Sequence, residues 1–432
     1  MRFLLTRLCC IFKAMKRWGL LLLFCIGYQL VTAQVTTVRV MTYNILNYRN
    51  STNECNGNTN SASSKEVALD TIVRNMQPHI ICFQEVGASA NNATYLLNNA
   101  LNTTSASNWT TTNYTNNSFS SLTNVIAYRS DIFGLISQDV ITKDVGNNNL
   151  VRVVDVARFY YKDPLLNAQS DTVTFTVIGA HFKAGSGTSN SSQRNAMAGA
   201  IIDYIENDAV DANIMLMGDF NMYASSESGY QTLIAGNGFR FEDPINSSGS
   251  WNNNSSFAAI HTQSTRNGGS NSCFSGGGLD DRFDQILCSE DIIEGEDGMV
   301  YVPNTYFAVG NDGNHFNDPV NAGTNYSVSS TVLSALYSLS DHLPVIADFD
   351  IDLQGLNTAE LEVPVLENPM RQPAQLADYY LRYGLAIYTL DGRKVFEKPE
   401  GETATVQGLP TGLYIAHWSK DGRSTTTKLM LW

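Results

Sequence analysis

The chain has 432 residues, 43% of them hydrophobic and 16% charged, with a formal charge of −14. That length accommodates one large and one smaller domain, and the apolar fraction supports a sizeable core, which excludes global disorder. The acidic balance excludes a broad phosphate-neutralising surface, but not an enzyme that meets an anionic substrate through a bound cation.

The first 33 residues read as a secretion signal. Arg2, Arg7, Lys13, Lys16 and Arg17 precede the apolar run "GLLLLFCIGYQLV" (Gly19 to Val31), and "VTA" places small residues before a cleavage point after Ala33. The run is short for a membrane anchor, the competing reading, and no transmembrane segment is expected once it is removed. Met15 offers an alternative start, since "MKRWGLLLLF" already forms a complete signal head. Loss of five basic residues and no acids takes the formal charge from −14 to −19. Four cysteines remain: Cys55, Cys82, Cys273 and Cys288. Cys82 and Cys288 sit in apolar, strand-like runs as buried thiols. Cys55 and Cys273 lie in polar loops, and the sequence leaves open whether they pair.

Residues 37–352 alternate between strands and helices. "TVRVMTYNIL" predicts a strand. "SSKEVALDTIVRNM" predicts a helix with Leu69, Ile72, Val73 and Met76 on one face, and Ser63 and Glu66 have the spacing of a capping box. The strand "IICFQEV" follows Pro78. Next come the strand "FTVIGAHF", a helix with Met197, Ile201, Tyr204 and Ile205 on one face, and the strand "NIMLMGDF". Residues 89–124, 247–278 and 311–326 are expected to be loops. The pattern implies an α/β or α+β domain. A Pro-containing linker (353–373) leads to a β-rich module (374–432), where "LAIYTLDGRKVFEK" carries a hairpin signal.

Several strands begin or end in polar residues: Asn44 in "MTYNIL", Glu85 in "FQEV", His181 in "GAHF", Asp219 and Asn221 in "GDFN", Asp284 in "FDQIL", and Asp341 and His342 in "SDHLPV". Burying such groups without partners costs several kcal/mol each, about 2–7, so they need a shared reason. Residues 219 and 221 fall on one face of a strand, and Gly218 permits a turn or a close approach. The set is oxygen-rich with two imidazoles, which suits Mg²⁺, Mn²⁺ or Ca²⁺ better than Zn²⁺.

These motifs, in this order over residues 37–352, resemble the endonuclease/exonuclease/phosphatase superfamily, which includes deoxyribonuclease I-like nucleases and sphingomyelinase-like phosphodiesterases. The resemblance implies a four-layered α/β (α+β) sandwich, two facing β-sheets flanked by helices, and phosphoester hydrolysis with a divalent cation, Mg²⁺ first. It implies that Glu85 is the principal metal ligand, with Asn44 and Asp341 completing or supporting the shell. Asp219 and Asn221 would hold the attacking water, His342 would be the base or transition-state donor oriented by Asp284, and His181 would contact the phosphate or protonate the leaving oxygen. Tyr128 and Arg129 in "NVIAYRSD" are weaker candidates for the phosphate, and Arg282 reads as a partner for nearby carboxylates. If Asp284 pairs with Arg282 instead, it has no part in orienting His342.

Residues 374–432 resemble the sorting domain of the type IX secretion system found in Bacteroidetes, which implies passage through a Gram-negative outer membrane to the surface or medium. The closing Trp432 departs from the basic end expected there, and a carbohydrate-binding or packing module is the competing reading. The leading expectation is a secreted, monomeric, metal-dependent nuclease acting on extracellular DNA or RNA. A sphingomyelinase-like or small-molecule phosphodiesterase or phosphatase would use the same centre. A non-catalytic surface binding protein would be signalled by loss of Glu85 or His342, and both are present.

Overall fold

The computed structural model describes residues 35–431 apart from 106, 163–171, 209, 237, 269–271, 353–373, 376–382, 391, 400 and 421–422. The expected signal segment and linker lie outside the described residues.

Among the described residues, thirteen strands lie between positions 36 and 351: β1 (Thr36–Tyr48), β2 (Ile80–Gly87), β3 (Trp109–Thr111), β4 (Leu122–Arg129), β5 (Phe133–Lys143), β6 (Asn149–Tyr161), β7 (Thr174–His181), β8 (Ile214–Asp219), β9 (Phe241–Glu242), β10 (Asp284–Ser289), β11 (Met299–Tyr301), β12 (Phe307–Ala308) and β13 (Val345–Ile351). One sheet runs β11-β13-β1-β2-β4-β3, with β12 also pairing β13; the other runs β5-β6-β7-β8-β10-β9. The helices are α1 (Ala62–Met76), α2 (Ala90–Leu96), α3 (Thr188–Asn207), α4 (Ser228–Ile234), α5 (Glu290–Glu294) and α6 (Ser330–Leu339).

Strand parity builds the layers. Met41, Tyr43 and Ile45 of β1 and Ile81 and Phe83 of β2 join Leu69, Ile72 and Leu336 of the helices in one core. Val38, Val40, Ile80 and Cys82 point the other way and meet Met215, Met217, Ile286 and Cys288 between the sheets. Ile214, Leu216 and Leu287 pack outward against Met197 and Ile201 of α3. Both faces of the central strands are therefore buried, which is why they read as continuous apolar runs. The result is the expected four-layered sandwich.

The inter-sheet face does not stay apolar. On β1 it runs Val38, Val40, Thr42, Asn44; on β2 it ends at Gln84, on β8 at Asp219, and β10 begins it at Asp284. Parallel pairing of β1 with β2 and of β7 with β8, and antiparallel pairing of β10 with β8, bring these polar positions to one edge. Gly218 serves close approach, since a Cβ there would lie 1.8 Å from the Ala180 carbonyl oxygen.

Two local expectations change, and one open question closes. Ser61, not Ser63, caps α1, accepting from Ser64 N. Glu66 turns instead to Tyr48 OH and Arg49 Nη2, each at 2.7 Å, because a buried carboxylate gains more from a cation than from a cap. Residues 89–124, expected to be loop, contain α2, a π-helical turn (Leu97–Leu101) and β3; Ala93, Leu96, Ala100 and Leu101 supply an apolar face there that the polar composition masked. Cys55 and Cys273 are joined by a disulfide.

Toward the C-terminus, β14 (Ala374–Gln375) pairs with β17 (Thr405–Val406), and β15 (Gly384–Thr389), β16 (Lys394–Lys398), β18 (Gly412–Lys420) and β19 (Arg423–Leu431) form an antiparallel sheet in the order β16-β15-β18-β19. This matches the expected small β module, with the hairpin at its predicted turn.

Candidate active site

Strand polarity decides what reaches the edge. Forward strands β1, β2, β7 and β8 deliver their ends: Asn44, Glu85, His181 and Asp219. Reversed strands β10 and β13 deliver their starts: Asp284, and Asp341 and His342 just ahead of Val345. Glu85 arrives by a different device. Its parity points it toward the helices, but β2 carries one extra residue between Phe83 and Val86 relative to β4, and Glu85 has a left-handed φ of 60°. The bulge re-aims the carboxylate into the site, at a backbone cost of about 1–3 kcal/mol.

Glu85, His181, Asp219, Asp341 and His342 line a cavity of about 340 Å³ with Asn47, Asn221, Tyr223, Gln263 and Ser275. Asn44 is fully buried and bridges two carboxylates: its Nδ2 donates to Glu85 Oε1 (3.1 Å) and Asp219 Oδ2 (3.0 Å). Its Oδ1 accepts Leu46 N–H at 3.0 Å. Both ends of the Asn44 carboxamide are thus engaged within the protein. Asn47 N donates to Glu85 Oε2 at 2.9 Å, and Ser275 N to Asp341 Oδ2 at 2.8 Å.

Asp219 and Asn221 do meet, but not by strand alternation. β8 stops at Asp219, Asn221 adopts φ 52°, and its backbone N and Nδ2 both donate to Asp219 Oδ1, at 3.0 and 2.8 Å. Asp219 Oδ2 lies 3.4 Å from His181 Nε2 and 3.8 Å from His342 Nε2. Burial pushes the Asp219 carboxyl up to about 7, against the pull of His342.

His342 Nδ1 is 2.7 Å from Asp284 Oδ2. Burial opposes charge on this ring, but Asp284 and Asp219 outweigh it and hold His342 well above the ordinary imidazole range. Gln263 Nε2 lies 2.6 Å from His342 Nε2; a charged ring donates from that nitrogen and would take the carboxamide oxygen, with the amide turned over, as its acceptor. His181 behaves oppositely: burial, then the charges of Arg152, His342 and Lys183, hold it well below that range, and its Nδ1 has no hydrogen-bond partner among the described residues. A neutral His181 can give an N–H to a phosphate oxygen but has no extra proton for a leaving group.

Arg282 takes Asp243 as its partner at 2.8 Å, so Asp284 is left to His342. The structure does not bring Tyr128 and Arg129 to the cavity. β4 runs antiparallel to β2, so its end sits beside Ile80, five residues back from Glu85. There Tyr128 packs edge-to-face on Phe159 at 4.9 Å and Arg129 pairs with Asp131 at 2.6 Å. Arg152, Gln263 and Ser275 were not anticipated. Arg152 starts reversed β6, near enough to Glu85 and Asp219 for both to offset the lowering of its pKa by burial, and Nη1 donates to Phe182 O at 3.1 Å. Gln263 and Ser275 sit in irregular chain and carry no sequence signal.

Two oxygen sets suit a hard cation. Among the described residues, Asp219, Asp284 and His342 form the one cluster of ligand atoms within 4.8 Å of one another. Within it Asp284 already holds the His342 ring. Glu85 and Asp341 instead turn carboxylates to the open cavity, with no ion-pairing cation bound to either among the described residues. That donor set fits Mg²⁺, Mn²⁺ or Ca²⁺.

No curated protein is matched by sequence. Among solved structures, a family protein from Bacteroides thetaiotaomicron is 14% identical over 75% of this chain and 98% of its own (TM-score 0.45). The human Nocturnin catalytic domain with bound sulfate is 15% identical over 74% and 97% (0.46), and a family protein from Bacteroides vulgatus is 17% identical over 73% and 100% (0.46). The profile of the Endonuclease/Exonuclease/phosphatase family spans residues 41–342, from the middle of β1 to His342 itself. The chain belongs to that family, whose members are metal-dependent phosphoester hydrolases.

Proposed function

We propose that the chain is an exported phosphodiesterase that cleaves nucleic acid with one divalent cation, Mg²⁺ by preference. The observation that carries this reading is the His342 ring, held by Asp284 and facing Asp219 across an oxygen-lined cavity that Glu85 and Asp341 also enter. Glu85 and Asp341 hold the cation, and Asn44 fixes the spacing of Glu85 and Asp219. A bound cation would neutralise phosphate charge and polarise its P–O bonds. Asp219, with a carboxyl near neutrality, takes the proton of a water that Asn221 helps to orient. Charged His342 donates to the phosphate oxygen that gains charge, and Arg152 adds positive charge on the β6 side.

Nucleic acid is supported by the open edge of the sandwich, where a polymer can extend beyond the reacting phosphate. A lipid or small-molecule phosphoester is the second reading, favoured by the formal charge of −14. A panel of plasmid, linear DNA, RNA, sphingomyelin and a generic phosphodiester, each with Mg²⁺, Mn²⁺, Ca²⁺ or chelator, separates them. We expect turnover of nucleic acid with Mg²⁺. Turnover of sphingomyelin alone would transfer the reading to a lipid, and undiminished activity in chelator would remove the cation from it.

Export is supported by the basic-then-apolar N-terminus and the β-rich residues 374–432, read as a type IX sorting module. Deleting 374–432 should leave the enzyme inside the outer membrane of a type IX-competent cell. Equal release with and without the module would refute that assignment.

A further inference from the structure

Lys65, in the first turn of α1, is 3% exposed, and nothing in the chemistry above uses it. Its Nζ donates to the carbonyls of Ile45 (2.9 Å), Leu46 (2.8 Å) and Leu339 (2.5 Å). An ammonium has three N–H groups, and all three are engaged; a neutral amine has two. Burial pulls the Lys65 pKa down, to about 7, against the charges of Asp341 and Glu85, and three carbonyl acceptors favour the charged form.

The three carbonyls belong to the two segments that matter most. Ile45 and Leu46 lie between Asn44, which bridges Glu85 and Asp219, and Asn47, whose N–H holds Glu85 Oε2. Leu339 closes α6, and Ser340, Asp341 and His342 follow directly. Leu46 and Asn47 are left-handed at φ 42° and 47° without being glycine. Such backbone persists only where its surroundings over-determine it. Leu46, Phe274 and the Cys55–Cys273 disulfide form an apolar cluster beside Lys65, with Nζ 5.5 Å from the Phe274 ring.

We propose that Lys65 is a positioning residue: by clamping the last part of β1 to the end of α6, it sets the spacing of Glu85 and Asp341 before a cation binds. Lys65 touches neither carboxylate, and it acts through backbone. The inference rests on the metal reading of this site, so its test reads cation binding directly.

The test is Mn²⁺ titration by calorimetry on folded Lys65→Met, Lys65→Arg and Leu69→Ala, with kcat and KM on a generic activated phosphodiester. Leu69, buried on the same helix, controls for lost stability alone. Lys65→Met should weaken Mn²⁺ binding at least tenfold and lower kcat at least tenfold with KM little changed. Lys65→Arg keeps charge, but its planar fork does not match three carbonyls around one nitrogen, so it should fall between. Leu69→Ala should match the unsubstituted chain in Mn²⁺ affinity and kcat per folded molecule. Folded Lys65→Met binding Mn²⁺ within twofold of the unsubstituted chain overturns the proposal, as does an equal loss in Leu69→Ala. If Lys65→Met does not fold, Lys65→Arg decides by the same twofold criterion. If neither folds, Lys65 is purely structural and the proposal fails. No Mn²⁺ binding by the unsubstituted chain would overturn the metal reading instead.

Discussion

At the end of the sheets remote from the site, Arg39 holds Asp348 with two bonds of 2.6 and 2.8 Å, Arg129 holds Asp131, and Arg158 holds Asp211. Each of these three carboxylates has its own guanidinium. At the other end Glu85, Asp219, Asp284 and Asp341 gather around two imidazoles, His181 and His342, with Arg152 and Lys65 nearby. The same two sheets thus build one end in which charge is closed pairwise and one in which anionic charge is in excess. Buried carboxylates without cations are costly, so the second end is stable and useful only if something else supplies positive charge. Members of this family are metal-dependent, and a cation is one source of that charge. A cluster that pairs off internally belongs to the fold; one that does not marks the chemistry.

The contrast breaks most sharply at His342. His342→Ala should lower turnover by about 10²–10⁴, the usual cost of losing a general acid or base. Asp284→Asn should also be severe, and the double variant should lose far less than the product of the two, because the pair acts as a unit. Multiplicative losses, measured per folded molecule, would mean that Asp284 does not work through the ring. Next comes Glu85→Gln, which should abolish most turnover and weaken Mn²⁺ binding while the thermal transition persists. If calorimetry instead shows Asp284→Asn losing the cation and Glu85→Gln keeping it, the cation belongs to the Asp219–Asp284–His342 cluster.

A smaller effect sharpens the comparison within the inter-sheet layer. Asp155 is buried, accepts from Thr115 Oγ1 and Asn124 Nδ2, and is pushed by burial up to about 7. Its folded-state pKa lies above its unfolded value, so the fold holds the proton more tightly. Its contribution to stability is full below about pH 4 and is lost as pH rises through about 7. Asp155→Asn removes that dependence. Denaturation midpoints should show the original chain losing stability relative to Asp155→Asn between about pH 4 and 7, by at most about 4 kcal/mol. A constant difference across that range would show that Asp155 titrates normally. The smallest effect is expected at the closed end: Arg129→Ala removes a partly exposed pair worth about 1 kcal/mol or less and should leave kcat and KM unchanged. A loss of turnover there would return Arg129 to the substrate.

The sequence alone determined an α/β domain and most of the candidate residues, while the layers were implied by its resemblance to the family. Period-two alternation that is apolar on both faces marks strands buried between layers, and polar residues at the ends of such strands need a common reason because burial penalises each of them. Asn44, His181, Asp219, Asp284 and His342 were legible on that ground. Tertiary structure decided the rest. Which end of a strand faces the site depends on its direction in the sheet, and local sequence does not carry direction. That is why Tyr128 and Arg129, at the end of reversed β4, lie remote from the cavity, while Arg152, at the start of reversed β6, comes near it. Which face Glu85 takes depends on a bulge, and an inserted residue shows only against its partner strand. Gln263, Ser275 and Lys65 act through contacts at separations of 79, 66 and 274 residues, made in irregular chain or through backbone carbonyls, which every residue carries and no sequence pattern distinguishes.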